Sequence, residues 1–315
     1  MNSRGTHTAI VTPEAMLVIY SRPREDATRW SREVRIPLVS RSPTGLLAWA
    51  NEEFGYILAA GTGEGIVKVF ELRRPLKLAG GGEQLDSQQP EWSLAQSLDL
   101  RSERGMLDLC FAPYQFGLML AVACGDGRVD VFAPRRLLPA EGWEVKHRIT
   151  LPEGFGDACQ LAWRPYSDGV PQMMAVGGSG GLSVFSYRRE RMGWESACHA
   201  EGGVMGLDWA PSLGKPLELI ATFGAGQDVT VWRLRRGEGG EGLELEATAV
   251  LRHTAGVSKV RWDMLGVSLA ASTEKNEVWV WSKGAGWEWE CRRKIVGVEA
   301  GGGRGIEDTA AQAWA

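Results

Sequence analysis

The sequence is poor in the residue patterns that bind metals or carry covalent chemistry. Its 315 residues include four widely spaced histidines and five cysteines, an odd number with no CxxC pair among them. Neither set has the spacing of a zinc site, and no P-loop or HExxH motif occurs. The glycine-rich stretch GGSGG at 177–181 follows one strand pattern and opens into another, so it offers a phosphate no helix N-terminus. We therefore expect no catalytic residue, no metal and no cofactor.

Long apolar runs and an excess of one charge are also missing. No segment is long and apolar enough to cross a bilayer as a helix, and no secretory signal is present. The formal net charge of −4 gives no general attraction for nucleic acid. We expect a cytosolic or nuclear protein with reduced thiols.

What the sequence does have is a repeat marked by aromatic residues. An apolar residue followed two positions later by an aromatic recurs, the aromatics being Trp49, Phe111, Trp163, Trp209 and Trp262. An alternating apolar pattern follows each marker and ends 19 to 23 residues later, at Phe70, Phe132, Phe185, Trp232 and Trp281. The first markers lie 46 to 62 residues apart. Four short strands per unit at this period, separated by glycine-rich turns, are typical of a propeller blade.

Six such units are predicted, and together they form one propeller domain over residues 1–297. The expected blades cover about 1–40, 42–100, 104–151, 156–201, 203–251 and 253–297. The remaining residues, 298–315, show no strand pattern and are expected to be a disordered tail.

The first unit begins in the middle of the repeat. Counting back about twenty residues from Tyr20 reaches the start of the chain, so the innermost strand of this blade is absent. We predict an all-β, six-bladed open propeller. Either a partner closes the ring, or a segment upstream of Met1 supplies the strand.

Two features, each in a single copy, resemble the WD-repeat superfamily, and this resemblance implies a propeller of the WD-repeat type. Asp126 occupies the turn position in CGDGRVDVF, and His253 stands where the structural histidine of the repeat is found. We expect His253, Ser272 and Trp281 to form a buried hydrogen-bond chain. All four residues are interpreted as structural.

Several longer stretches resemble one family. MLDLCFAPYQFGLMLAVACGDGRVDVF, LAWRPYSDGVPQMMAVG, VMGLDWAPSLGKPLELIATFGAGQDVTVW and HTAGVSKVRWDMLGVSLAAS look like blades of the Seh-one type of nucleoporin, a WD-repeat propeller related to the Sec-thirteen type. The resemblance covers about residues 40–297. It implies an open six-bladed propeller whose missing blade is donated in trans by a helical-solenoid partner.

The resemblance also implies which complexes the protein joins and where in the cell it acts. In this family the partner is a scaffold nucleoporin of the Y-shaped complex at the nuclear pore, or a subunit of the vacuolar or lysosomal complex that regulates TOR signalling. The expected function is therefore non-enzymatic scaffolding that supports protein and mRNA transport. The expected locations are the nuclear envelope and, for the second complex, the vacuolar or lysosomal membrane surface.

A donated blade would pair with exposed strand edges and bury its apolar face. The candidate contact residues lie in the first and last blades: Ile10, Leu17, Ile19, Val260, Trp262 and Leu269. The alternative for each is ordinary packing between blades of the same chain, because the same alternation serves both uses.

Three other functions remain open. Arginines follow the third strand of five blades and could form a basic ring that meets phosphate or acidic protein, the alternative being a solvated turn. They are Arg22, Arg24, Arg73, Arg74, Arg135, Arg136, Arg188, Arg189, Arg235 and Arg236. A generic WD-repeat adaptor would have a closed ring and no obligate partner. A vesicle-coat propeller of the Sec-thirteen type is the third.

Overall fold

The computed structural model describes residues 1–22, 29–40, 42–73, 91–137, 139–212, 217–237, 242–284, 288–297 and 307–309. In these ranges every element is a β-strand except two single 3-10 turns, Glu52–Phe54 and Tyr114–Phe116. The chain divides into two compact units, Met1–Thr150 and Leu151–Ala315.

The first unit contains three antiparallel sheets. Their strand orders are β1-β2-β3, β4-β5-β6-β7 and β8-β9-β10-β11, and we call them blades 1, 2 and 3. The strands are β1 (His7–Val11), β2 (Met16–Ser21), β3 (Ser31–Pro37), β4 (Pro43–Trp49), β5 (Ile57–Thr62), β6 (Ile66–Arg73), β7 (Glu91–Asp99), β8 (Met106–Phe111), β9 (Leu120–Cys124), β10 (Arg128–Leu137) and β11 (Ala140–Thr150).

The second unit contains the other three sheets, blades 4, 5 and 6. Their orders are β12-β13-β14-β15, β16-β17-β18-β19 and β20-β21-β22-β23-β24. The strands are β12 (Ala158–Trp163), β13 (Met173–Gly178), β14 (Gly181–Arg188), β15 (Gly193–Glu201), β16 (Gly206–Trp209), β17 (Glu218–Phe223), β18 (Asp228–Arg236), β19 (Leu243–Arg252), β20 (Val257–Trp262), β21 (Ser268–Thr273), β22 (Glu277–Lys283), β23 (Trp289–Val296) and β24 (Glu307–Thr309).

The second aromatic marker of the repeat coincides with a β-bulge in every blade. The register between the third and the outer strand shifts by one residue immediately before the aromatic side chain, and in blade 1 before Tyr20. The extra residue bends the strand and increases its twist. The shifts lie at Ile19/Tyr20, Val69/Phe70, Val131/Phe132, Val184/Phe185, Val231/Trp232 and Val280/Trp281.

Middle strands such as β5 and β13 are buried on both faces, which explains their continuous apolar composition. All six residues of β5 and all six of β13 are buried. Outer strands such as β7 alternate between buried and exposed positions instead. Apolar side chains of adjacent blades in one unit therefore share a core.

The predicted class, all-β with six WD-type propeller blades of which the first lacks its innermost strand, is confirmed. In the part of the chain that the structure describes, blade 1 has three strands and each other blade has at least four. The extent of the propeller domain, 1–297, stays a prediction, because the contacts group the blades three by three.

The tail differs from expectation at three residues. Glu307–Thr309 forms β24, which pairs antiparallel with β23. Most of the predicted disordered tail, 298–306 and 310–315, lies outside the described residues. Alternating apolar residues could not have indicated β24, because an added edge strand is held by backbone hydrogen bonds and needs no apolar face.

Candidate partner interface

Strand β1 has a sheet neighbour on one side only. Its five residues pair antiparallel with β2, from His7 opposite Ser21 to Val11 opposite Leu17. By position in the sheet, β1 corresponds to β5 of blade 2, whose other side carries the innermost strand β4. Among the described residues no strand takes that place beside β1. This edge is therefore a candidate acceptor for a strand.

The start of the edge is closed by an N-terminal turn. Asn2 Oδ1 accepts hydrogen bonds from the backbone N–H groups of Thr6, at 2.8 Å, and His7, at 3.0 Å. The backbone N–H of Asn2 donates to the carbonyl oxygen of His7 at 2.9 Å. Asn2 is buried, with 3% of its surface exposed. Sequence reasoning missed this residue, although asparagine commonly bonds nearby backbone in turns.

The bonds at His7 define which backbone groups remain for a partner. The backbone N–H and the backbone C=O of His7 both point away from β2, towards Asn2. In an antiparallel pair these directions alternate along the strand. The N–H and C=O groups of Ala9 and Val11 therefore also point away from β2, whereas those of Ile10 point towards it. Ala9 and Val11 are the residues that an added strand would meet.

The side chains of blade 1 divide between two faces. Leu17 and Ile19 are fully buried, and they pack with Leu58 and Phe70 of blade 2. These two predicted contact residues thus fill the core of their own unit. Ile10 lies on the other face and is 46% exposed.

Val18 pairs with Ile10 and shares its face. The sequence did not single out Val18, because alternation along β2 does not show which of its two faces is covered.

The three candidates in blade 6 also pack within their own unit. Val260 and Leu269 are buried with Trp262 in a cluster that includes Leu219 and Val231 of blade 5. For these residues, internal packing, the alternative considered from the sequence, accounts for the burial. The opposite face of blade 6 carries half-buried apolar residues, Ala270, Val278 and Val280.

Trp262 is also fixed by Asp208 of blade 5. Asp208 Oδ2 accepts from the backbone N–H of Trp262 at 2.8 Å, and Oδ1 accepts from Arg261 Nη1 at 2.8 Å. The indole N–H of Trp262 donates to the carbonyl oxygen of Asp208 at 3.1 Å. Burial raises the pKa of Asp208, and Arg261 opposes that shift. The single acid in LDWAP was the available sequence signal, and it was missed.

His253 and Trp281 are hydrogen-bonded, but Ser272 is not part of their chain. Trp281 Nε1 donates to His253 Nε2 at 3.0 Å, and His253 Nδ1 lies 3.1 Å from the carbonyl oxygen of Gln227. One neutral tautomer, with its proton on Nδ1, satisfies both contacts. The hydroxyl of Ser272 instead lies 3.0 Å from that of Ser258.

The next residue, Thr273, is buried on the face of β21 that Ser272 leaves. Its hydroxyl is among the buried polar atoms without a hydrogen-bond partner in the described part of the chain. Successive strand residues point to opposite faces. The hydroxyl of Ser272 and that of Thr273 therefore lie on different sides of the sheet, and only Thr273 faces the buried side.

Asp126 is exposed and forms an ion pair with Arg128. A second carboxylate, Asp130, is far more buried. Asp130 Oδ1 accepts from Arg148 Nε at 2.7 Å, and Oδ2 accepts from Arg128 Nε at 3.3 Å. An acid inside the apolar strand pattern VDVF was the sequence signal for this site.

The arginines that follow the third strands are largely paired with glutamates. Arg135 Nε donates to Glu144 at 2.8 Å, and Arg235 Nη2 lies 3.2 Å from Glu244. Pairing of this kind leaves less positive charge for an external phosphate, which favours the solvated-turn alternative. Arg73, Arg136 and Arg188 have carboxylate partners as well, and Arg22 stacks on Trp30. Arg24 and Arg74 lie outside the described residues.

Within the described ranges, no group of three or more acidic, histidine or cysteine side chains is arranged to hold a metal ion. No helix among these residues is long and apolar enough to span a membrane.

Comparison with known proteins gives no matching family model, but it finds relatives along most of the chain. Nucleoporin SEH1 of Danio rerio is 26% identical over 264 residues, which cover 78% of this chain and 70% of the relative. Nucleoporin SEH1-A of Xenopus laevis is 25% identical over 279 residues, covering 82% and 73%. Nucleoporin SEH1 of Homo sapiens is 25% identical over 285 residues, covering 84% and 75%. The resemblance to the Seh-one type of nucleoporin is thereby confirmed: the chain is similar to vertebrate SEH1 nucleoporins along most of its length.

Proposed function

We propose that this chain is a non-enzymatic scaffold subunit of the Y-shaped complex of the nuclear pore. Relatives named nucleoporin SEH1 align with this chain over 70–75% of their own lengths. In this proposal the protein works at the nuclear envelope and supports nucleocytoplasmic transport of protein and mRNA. It binds other proteins, and it needs no cofactor or small-molecule substrate.

The partner in this proposal is a helical-solenoid nucleoporin that donates a blade. The observation that carries it is the edge of β1, where Ala9 and Val11 direct backbone groups away from β2. Main-chain hydrogen bonds would supply affinity, and side-chain contacts would supply specificity. On blade 1 the exposed side chain of Ile10 provides apolar surface beside that edge.

The same strand edge would serve a second assembly, the vacuolar or lysosomal complex that regulates TOR signalling. The two roles need no difference in mechanism, because each complex would contribute its own solenoid subunit. The identity of the co-purifying proteins separates them.

The test is affinity purification of the tagged full-length protein, with identification of co-purifying proteins by mass spectrometry. It compares the wild type with Ile10→Lys, and with Leu137→Lys as the matched control. Leu137 is an apolar strand residue of the same unit with similar exposure, 50% against 46%. Burying a lysine in an apolar contact is unfavourable, and a loss of about 1.4 kcal/mol lowers affinity tenfold.

Recovery of helical-solenoid nucleoporins by the wild type and by Leu137→Lys, with at least about tenfold less by Ile10→Lys, supports the proposal. Recovery of TOR-regulating subunits with the same dependence on Ile10 extends it to the second complex. Recovery of vesicle-coat proteins alone, or of no solenoid protein, overturns it in favour of a coat propeller or a generic adaptor.

A further inference from the structure

A cavity lies between blades 5 and 6, both of which belong to the second unit. Its volume is about 530 Å³, a size typical of pockets that bind small ligands or inserted side chains. Apolar residues of both blades line it: Pro211, Leu217, Leu219, Val267 and Trp289. A cavity with such walls suits an apolar group better than a charged one.

The turn that leads to Val267 displays further apolar side chains beside the cavity. Met264 is 87% exposed and Leu265 is 56% exposed. The turn is held by Asp263, whose Oδ1 accepts from the backbone N–H groups of Val267 at 2.8 Å and Ser268 at 3.1 Å. These bonds fix the apolar rim in position, so an occupant meets a surface that is already formed.

A cation and an indole stand together in the wall of the cavity. Lys283 is opposite Trp289 in the ladder between β22 and β23, and its Nζ lies 5.7 Å from the centre of the Trp289 ring. Trp289 is fixed in turn by Trp262, whose ring centre is 5.6 Å away. Cations interact with the faces of aromatic rings, most strongly with tryptophan. The wall therefore favours an aromatic occupant over an aliphatic one.

The direction of β24 points the end of the chain towards this cavity. β24 runs antiparallel to β23, with Thr309 opposite Lys294. A chain that continues in this direction runs along β23 towards its first residue, Trp289. Trp289 is five residues from Lys294, and Trp314 is five residues from Thr309. Five extended residues span about 17 Å, so Trp314 is within reach of the cavity.

The composition of the last residues matches the cavity. Residues 310–315 read AAQAWA and include no charged side chain. Of the fourteen tryptophans, Trp314 alone lies beyond residue 297, outside the predicted propeller repeat. A tryptophan side chain gains a large apolar contact area when it is buried. The segment thus carries one strong apolar anchor at the distance that the cavity requires.

We propose that the cavity between blades 5 and 6 is the docking site of the chain's own residues 310–315, with Trp314 as the anchor. The indole packs against Val267 and Trp289, beside the Lys283 cation. Because the segment is tethered, its effective concentration at the cavity is high, and it excludes other apolar peptides. The site does not depend on the partner proposed for the β1 edge, so failure of either proposal leaves the other standing.

The test uses the full chain labelled with a fluorinated tryptophan and observed by fluorine NMR. Trp314→Phe assigns the Trp314 signal by its disappearance, and the labelled peptide DTAAQAWA, residues 308–315, gives the signal of a solvated indole. The wild type is compared with Val267→Lys, which places a charge at the cavity, and with Val170→Lys as the matched control. Val170 is an apolar residue of the same unit with similar exposure, 36% against 39%.

We expect the Trp314 signal of the wild type to differ from that of the peptide. In Val267→Lys it moves to the peptide position, because a lysine buried beside the indole is unfavourable. In Val170→Lys it keeps the wild-type position.

A second measurement uses a fluorescent form of the same peptide, and it does not depend on the folding of Val267→Lys. We expect this peptide to bind the Trp314→Ala chain at least about tenfold more tightly than the wild type, because the competing anchor is gone. A peptide with alanine in place of its tryptophan should not bind.

Three results would overturn the proposal. The first is a wild-type Trp314 signal at the peptide position. The second is a Val267→Lys variant in which the signal of Trp287 moves and that of Trp314 does not, because the occupant is then the segment before Trp289; Trp287→Phe assigns that signal. The third is equal affinity of the peptide for the Trp314→Ala chain and the wild type.

Discussion

Asn2 and His7 exchange two hydrogen bonds in the way that paired strand residues do. The Asn2 side-chain oxygen accepts from the backbone N–H of His7 at 3.0 Å, and the Asn2 backbone N–H donates to the His7 carbonyl at 2.9 Å. A single residue thus covers the first position of the β1 edge. The bonds also set the alternation that leaves Ala9 and Val11 available further along.

We predict that Asn2→Ala lowers the free energy of unfolding by about 1–3 kcal/mol, because two backbone donors in a largely buried turn lose their acceptor. Urea denaturation followed by tryptophan fluorescence measures the change. Ser3→Ala is the neighbouring control. Ser3 is exposed, so we expect an effect within about 0.5 kcal/mol. Equal effects of the two substitutions would show that the turn does not close the edge.

The direction of the β1 backbone groups is tested by proline at adjacent positions. Ala9→Pro removes an N–H that points away from β2, so we expect a folded protein with partner affinity lowered at least about tenfold. Ile10→Pro removes an N–H that β2 uses. We expect it to lower stability by about 1–3 kcal/mol. Thermal unfolding and co-purification of the partner measure the two effects.

The pattern reverses if the alternation was assigned to the wrong residues. Ile10→Pro would then be the folded variant with weak binding, and Ala9→Pro the unstable one. Full binding by a folded Ala9→Pro variant would show that no strand pairs with this edge.

The sequence predicted the strands and aromatic positions that recur with the blade repeat. Phe70, Trp232 and their counterparts follow a bulge in every blade, so their spacing is set by backbone geometry and was visible as a repeat. The same spacing predicted that blade 1 lacks its innermost strand, and none of the described residues forms one. Periodicity sufficed because each blade repeats the same short pieces in the same order.

The candidate interface was harder to predict, because an alternating apolar pattern does not show which face of the strand is covered by the same chain and which is left for a partner. Leu17 and Ile10 both read as apolar strand residues, but only contact with Leu58 of blade 2 shows that Leu17 faces the core. Ser272 shows the same difficulty: alternation did not reveal that its hydroxyl lies on the face of β21 opposite to the buried Thr273. Asn2 was invisible for another reason: its role lies in a turn whose geometry no repeat specifies.

The His253–Trp281 bond predicts a pH dependence. Burial lowers the pKa of His253 below its ordinary value of 6.5. The unfolded chain therefore binds a proton more readily than the folded one. The contribution of this group to stability is complete above the unfolded pKa of 6.5 and is lost as the pH falls towards the lower folded value. We expect the free energy of unfolding to decrease between pH 7.5 and 5.5.

His147 contributes in the same direction, because burial and Lys146 lower its pKa too. The measurement therefore compares unfolding at the two pH values in the wild type, His253→Gln and His147→Gln. Glutamine keeps an acceptor for Trp281 without titrating. We expect each variant to lose part of the pH dependence. An unchanged dependence in His253→Gln, together with a proton NMR pKa at or above 6.5 for His253 in the wild type, would show that burial does not lower the pKa of this histidine.

Asp126 and Asp130 offer a matched comparison, because both pair with Arg128 and they differ in burial. The side chain of Asp130 is 1% exposed and that of Asp126 is 29% exposed. Removing one partner of a buried ion pair costs about 3–5 kcal/mol. Arg148, the other partner of Asp130, is half-exposed, and solvent reduces that cost.

We therefore expect Asp130→Ala to lower the free energy of unfolding by about 2–4 kcal/mol, and Asp126→Ala to change it by no more than about 0.5 kcal/mol. Urea denaturation of the two variants under the same conditions measures the difference. Raising the salt concentration should reduce the small effect of Asp126→Ala further and leave that of Asp130→Ala nearly unchanged, since buried pairs are screened less. A larger loss from Asp126→Ala would make the turn aspartate, rather than the strand aspartate, the residue that holds blade 3 together. The WD-type turn would then be the structural element that the sequence first indicated.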